Sequence, residues 1–238
     1  MWTFDRFCVI IKNIEDFASK NGNFSLIYRE ALMLECFAFM PRLQFGANCY
    51  VLKSGNEYCV IDPSASYAAV SEKLGDISSS VKYIILTHSH FDHTLALDEW
   101  IEITKIVPSA STNACANVKD ADINCYKRFF GIDKSYQGPT NVLREGDALS
   151  FGDDLIRVIE TPGHTNGSIC LIADGMIFSG DTLFSGGAYG RCDLPTGDIR
   201  ELSASVDRIL SLPDYTIIYS GHGDKSTINE AKAYEYIT

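Results

Sequence analysis

The chain has 238 residues, 46% of them hydrophobic, and 20 basic against 31 acidic side chains leave a formal net charge of -11. That length fits one large domain or two small ones with a real core. The acidic balance argues against a nucleic-acid backbone as partner, which needs clustered Lys and Arg, and no apolar run reaches membrane-spanning length.

Residues 1–32 are the least patterned part of the chain. Phe7–Ile11 reads as a short strand or a helix start. Asp5 before it and Lys12 after it do not resemble a signal peptide, so a cytoplasmic protein is expected. This segment is expected to be an accessory piece on a main domain spanning residues 33–238.

From Met33 the pattern turns to β. Leu34–Phe39 is a strand candidate. Cys49–Lys53 and Glu57–Ile61 flank Ser54-Gly55-Asn56 as a hairpin, which Asp62-Pro63 ends. Tyr67–Leu74 has helical spacing with Ser66 as its N-cap. Val81–Leu86 is an apolar strand expected to be buried on both faces. Leu95–Ile101 reads as a helix and Ile103–Val107 as a strand. Between Pro108 and Gly138 short helices are expected. Tyr126, Phe129 and Phe130 are read there first as a face packed on the core, and only second as the wall of a substrate pocket.

Beyond Gly146-Asp147 the strands return. Leu155–Glu160 runs into a Gly163-His164 turn. Ser168–Ala173 and Met176–Ser179 flank Asp174-Gly175, a strong two-residue hairpin turn. Asp198-x-x-Glu201 opens a helix to Leu210. Tyr215–Tyr219 is a last strand, and Thr227-x-x-Glu230 is a capping box before a terminal helix. A β-rich half, a helix and a second β-rich half suggest two sheets packed face to face with helices outside.

Eight cysteines show no Cys-x-x-Cys spacing. They read as reduced thiols used as small apolar residues rather than a disulfide framework. Cys192 alone lies in a loop expected near the functional centre.

The histidines carry the chemistry. There are five, and three fall in Thr87-His88-Ser89-His90-Phe91-Asp92-His93. The other two, His164 and His222, each sit in a glycine-bearing turn after an apolar strand, as does Asp181. Strands sharing a sheet edge would bring these turns together. His88 and His90 are two apart, so in extended backbone both reach one ion. Asp92 and His93 can aim at a neighbouring position, and Asp181 is the candidate bridging carboxylate. Imidazoles with few carboxylates suit Zn²⁺, with Fe or Mn as alternatives. Seven ligands are ample for two divalent ions and too many for one closed tetrahedral site. Two such ions can hold a bridging hydroxide at neutral pH and polarise a carbonyl, which is hydrolysis without a protein nucleophile. In keeping with this, there is no Gly-x-Ser-x-Gly elbow.

The pattern His-x-His-x-Asp-His followed by separate His, Asp and His resembles the metallo-β-lactamase-fold superfamily over about residues 33–238. Thr161-Pro-Gly-His-Thr-Asn-Gly-Ser168 and Ser179-Gly-Asp-Thr-Leu-Phe184, with Gly190-Arg191 soon after, are most similar to its glyoxalase II (hydroxyacylglutathione hydrolase) branch. The resemblance implies an α/β fold, an αββα four-layer sandwich. It implies a first metal on His88, His90 and His164, a second on Asp92, His93 and His222, and Asp181 bridging, with Asp92 and Asp181 as the catalytic carboxylates. The loop Phe184–Asp198, with Tyr189, Arg191 and Cys192, would flank the pocket. Three departures stand out, one being that residues 1–32 have no counterpart in the family. Only 16 residues follow His222, so a single domain is expected, without the helical C-terminal domain through which full-length glyoxalase II contacts glutathione. Asp-His continues as Thr94-Leu95-Ala96-Leu97 rather than a glycine-containing stretch.

The expected function is dinuclear, metal-dependent hydrolysis of a small thioester or ester. The alternatives are a mononuclear-iron persulfide dioxygenase, a lactonase or other hydrolase of the same fold, and, in a different class, a non-catalytic metal-stabilised binding module. The expected partner is a small-molecule substrate, with no nucleic acid and no membrane, and at most a second copy of the chain as a homodimer.

Overall fold

A computed structural model describes residues 34–40, 46–136 and 138–233. Chain contacts divide into two compact units, Met1–Leu34 and Glu35–Thr238, and the architecture is that of the second. The expected accessory segment at residues 1–32 lies outside the described residues.

Among the described residues the strands form two six-stranded mixed sheets. The first holds β1 (Glu35–Phe39), β2 (Cys49–Ser54), β3 (Glu57–Ile61), β4 (Val81–Ile85), β5 (Ser109–Ser111) and β6 (Asn141–Leu143), in that order. The second holds β7 (Ala148–Phe151), β8 (Asp154–Glu160), β9 (Ile169–Ala173), β10 (Met176–Gly180), β11 (Ile217–Ser220) and β12 (Ser226–Thr227) in the order β12-β11-β10-β9-β8-β7. β1 to β3 pair antiparallel and β3 to β6 parallel. In the second sheet only β10 and β11 are parallel.

Period-2 alternation decides what each strand faces. On β2, Cys49 and Val51 join the core beneath the helices. Tyr50 points the other way, its ring 5.3 Å from Phe178 of β10 and 5.4 Å from Tyr219 of β11. The two sheets therefore meet face to face. α1 (Tyr67–Leu74), α2 (Leu97–Thr104) and α3 (Thr112–Asn117) cover the outer face of the first sheet through Val70, Trp100 and Ala114. α5 (Ile199–Leu210) and α6 (Ile228–Ala233) cover the second, after α4 (Tyr126–Phe130). α5 buries Leu202, Ser205, Val206 and Ile209, a helical stripe. Each large apolar residue so covered stabilises by about 1.5–3 kcal/mol. The αββα sandwich expected from the sequence is the observed fold.

Local chemistry set these elements where it was strong. Asp174 and Gly175 both take positive φ, 43 and 73°, as a tight hairpin turn requires. Asp198 caps α5 by accepting from the backbone N–H of Arg200 and Glu201. The Thr227–Glu230 box forms reciprocally, Thr227 N–H to Glu230 Oε2 at 2.8 Å and Glu230 N–H to Thr227 Oγ1 at 3.2 Å.

Three expectations need correction. Ile103–Val107 is not a strand: α2 runs on to Thr104, and the strand forms at Ser109–Ser111. α2 begins at Leu97, not Leu95, because Phe91–His93 first makes a 3₁₀ turn and Ala96 caps the helix without a side-chain hydrogen bond. β4 is only half buried at Lys82 and Tyr83. The seven described cysteines are free, as expected, and among the described residues no helix is long and apolar enough to cross a membrane.

Candidate metal centre

Five strands end at one edge, and each is followed by a functional side chain. β4 leads to Thr87-His88, β8 to His164, β10 to Asp181, β11 to His222 and β3 directly to Asp62. The 3₁₀ turn at Phe91–His93 swings Asp92 and His93 back toward the same point.

All seven residues picked from the sequence come together there. Donor atoms of His88, His90 and His164 lie within 4.8 Å of one another, as do those of Asp92, His93 and His222. His88, His93 and Asp181 form a third such trio. Asp181 reaches both halves: Oδ1 is 3.2 Å from His93 Nε2, and Oδ2 is 3.6 Å from both His164 Nε2 and His222 Nε2. His90 Nδ1 lies 2.9 Å from His164 Nε2, and Asp92 Oδ2 3.1 Å from His222 Nε2.

Hydrogen bonds behind the rings fix which nitrogen faces the centre. The Arg191 carbonyl can only accept, so His164 Nδ1 donates to it at 2.7 Å, leaving a bare Nε2. His93 Nδ1 donates to Asp62 Oδ2 at 2.8 Å. Thr87 Oγ1 gives its proton to the same Asp62 oxygen at 2.7 Å and therefore accepts from His88 Nδ1 at 3.1 Å. Three imidazoles thus aim Nε2 lone pairs inward. His88 Nε2, His93 Nε2 and Asp181 Oδ1 are buried with no hydrogen-bond partner among the described residues. Orphaned acceptors so close together are costly, and a divalent cation is what this donor set fits.

The electrostatics agree. Burial pushes His88 well below the ordinary imidazole pKa, helped by His93, His164 and His90. Burial and His164 take His90 down to about 3. Both are held neutral, the ligating form. Burial opposes a charge on His93 too, but the carboxylates of Asp181 and Asp62 outweigh it and raise its pKa well above normal. Burial would likewise raise Asp181, yet the charge of His93 holds it well below the usual range. The pocket is arranged for positive charge at its middle.

Asp62 is the residue sequence reading missed. It accepts from Thr87 N–H at 2.7 Å as well, so one buried carboxylate orients His93 directly and His88 through Thr87. The available signal was its position: like the ligands, it follows an apolar strand at the same edge. Glycine is required at two further points. A Cβ on Gly190 would stand 2.2 Å from the Asp181 carbonyl, and one on Gly221 2.1 Å from Asp181 Oδ1.

A cavity of about 330 Å³ opens over the centre. Its floor is His90, Asp92, His164, Asp181 and His222, and its walls are Phe91, Cys125, Phe129, Phe184 and Leu194. Of the expected flanking loop, Arg191 borders the cavity. Tyr189 does not border it, and Cys192 packs against the core of the second sheet instead. Phe129 is a cavity wall rather than a core face, whereas Tyr126 does pack on the core.

An αββα sandwich with a His/Asp donor set at the shared edge of its sheets defines a metal-binding class of fold. The chain belongs to the metallo-beta-lactamase superfamily, whose model matches residues 42–222. It is 34% identical over 193 residues to the probable metallo-hydrolase YqgX of Bacillus subtilis (strain 168), covering 79% of this chain and 90% of that one. It is 34% identical over 175 residues to a hydroxyacylglutathione hydrolase of Tolumonas auensis, covering 73% of this chain but 60% of that protein. Among solved structures it is similar to the B3 metallo-beta-lactamase BLEG-1, with 31% identity and a TM-score of 0.75 over 84% of this chain and 97% of that one. It is also similar to TTHA1623 in a di-iron-bound form, with 30% identity and a TM-score of 0.71 over 85% of this chain and 100% of that one.

Proposed function

We propose that this protein is a dinuclear metal-dependent hydrolase of a small thioester or ester, of the glyoxalase II type. The observation that carries the reading is Asp181, whose carboxylate lies between two donor trios and reaches histidines of both. His88, His90 and His164 would hold one ion, Asp92, His93 and His222 the other, and Asp181 both. Bound there, two divalent ions supply a water activated at neutral pH and a Lewis acid for the carbonyl oxygen. The chain itself holds the donors in register through Asp62, Thr87 and the Arg191 carbonyl, and it frames the reacting group with the apolar walls of the cavity. Water adds across the C–S or C–O bond. The acyl carbon gains the oxygen, and the thiol or alcohol leaves with a proton. The matched family and its metallo-hydrolase relatives support hydrolysis. The hydroxyacylglutathione hydrolase relative and the Gly180-Asp181-Thr182-Leu183-Phe184 stretch support the thioester. The donor set suits Zn²⁺, and the di-iron neighbour supports Fe as an occupant.

Metal analysis of the purified protein, paired with a panel of thioesters, esters, lactones and persulfides, tests this. Two zinc or iron ions per chain and turnover of a thioester or ester are expected. One iron per chain with sulfur-dependent oxygen uptake would replace the reading with a persulfide dioxygenase.

A further inference from the structure

We infer that the acyl part of the substrate is apolar and uncharged, and that Phe129 is the residue that selects it. This rests on the hydrolase reading and specifies its substrate class. The cavity volume is near the lower end for ligand sites, so it accommodates an acyl group and its thioester rather than a bulky carrier. The chemistry divides cleanly: metal donors form the floor, and Phe91, Cys125, Phe129, Phe184 and Leu194 form the walls. Among the described residues the one Lys or Arg side chain on the lining, Arg191, is engaged by Asp193 through Nε–Oδ1 and Nη2–Oδ2 contacts of 2.6 and 2.5 Å. Against these phenyl rings a charged acyl group would lose hydration that an apolar one does not need.

Phe129 is 48% exposed, so a ligand in the cavity would cover apolar surface there. It is also held in place. Its ring sits 5.3 Å from that of buried Phe91, which lies between His90 and Asp92. Phe91 N–H donates to the Asn124 carbonyl at 2.9 Å. Asn124 in turn accepts from Tyr126 N–H and donates to the Val118 and Lys134 carbonyls, fixing α4 to the metal loop. Phe130 supplies the control. It is 46% exposed and packs 5.2 Å from the same Phe91 ring, but it does not border the cavity.

The test uses the metal-loaded protein and N-acetylcysteamine thioesters with acetyl, butyryl, hexanoyl and succinyl groups. In the unmodified protein kcat/KM should rise by about fourfold per buried methylene, with succinyl below butyryl. Phe129→Ala should flatten the series, lowering hexanoyl more than about tenfold while acetyl changes less than about threefold. Phe129→Leu should keep most of the gradient, and Phe130→Ala all of it. Calorimetry with S-hexyl and S-ethyl N-acetylcysteamine thioethers, which have no bond to cleave, should show the same preference and its loss in Phe129→Ala. A flat series, a preference for succinyl, or equal effects of Phe129→Ala and Phe130→Ala would overturn the inference. A retained S-hexyl preference with no thioester hydrolysed would overturn the hydrolase reading and keep the apolar subsite.

Discussion

At the scale of single residues, the centre depends on a carboxylate that is not itself a proposed metal ligand. Asp62 accepts three hydrogen bonds, from Thr87 N–H, Thr87 Oγ1 and His93 Nδ1. In Asp62→Asn only one side-chain oxygen accepts, so either His93 or the Thr87–His88 relay loses its anchor. Metal affinity should fall about 10- to 100-fold, read by competition with a chromophoric chelator. An unchanged affinity would show that the rings are held by packing alone. The histidines were legible because five of them, all next to strand ends, leave few other roles. Asp181 was legible because so many imidazoles call for an anion. Asp62 was not, because Asp-Pro after a strand reads equally well as a turn, and its function exists only through contacts 25 and 31 residues away.

At the scale of elements, strong local chemistry was readable and weak local chemistry was not. Ser66, Asp174-Gly175, Asp198 and Thr227-x-x-Glu230 each commit the backbone by their own hydrogen bonds or φ values. β5 and β6, three residues each, rest instead on parallel pairing with β4 and with each other. Ser109-Ala110-Ser111 carries no β propensity of its own. Ile103-Thr104-Lys105-Ile106-Val107 does, yet tertiary packing of Trp100 and Ile101 on the core keeps its first two residues helical. The start of α5 links element to site: Asp198 caps the helix by side chain, and its N–H donates to the Gly163 carbonyl beside His164 at 2.8 Å. Asp198→Ala removes the cap but keeps that backbone bond. It should cost about 0.5–2 kcal/mol in chemical denaturation with metal content unchanged. A loss of metal at full stability would move the role of Asp198 from helix to site.

At the scale of the whole molecule, the centre makes stability depend on pH, and the sign differs on the two sides of the ordinary histidine pKa of 6.5. His88 and His90 are depressed, His90 to about 3. Below 6.5 the unfolded chain takes up protons that the folded chain refuses, so in the metal-free protein stability falls as pH drops toward 3. His93 is raised. Its stabilisation is full below 6.5 and is lost as pH rises through its folded value. The metal-free protein should therefore be most stable near pH 6.5, and the acid side should slope by roughly 1–3 kcal/mol per pH unit for two imidazoles. A bound cation takes over from the His93 proton, so the loaded protein should lose the alkaline decline while its acid decline steepens, protons now competing with metal for His88 and His90. Denaturation midpoints measured across pH 5 to 9, with and without chelator, give the difference curve. The same alkaline decline in both forms would mean that His93 does not face the ion, and that the buried pairing of His93 with Asp62 and Asp181 is structural only.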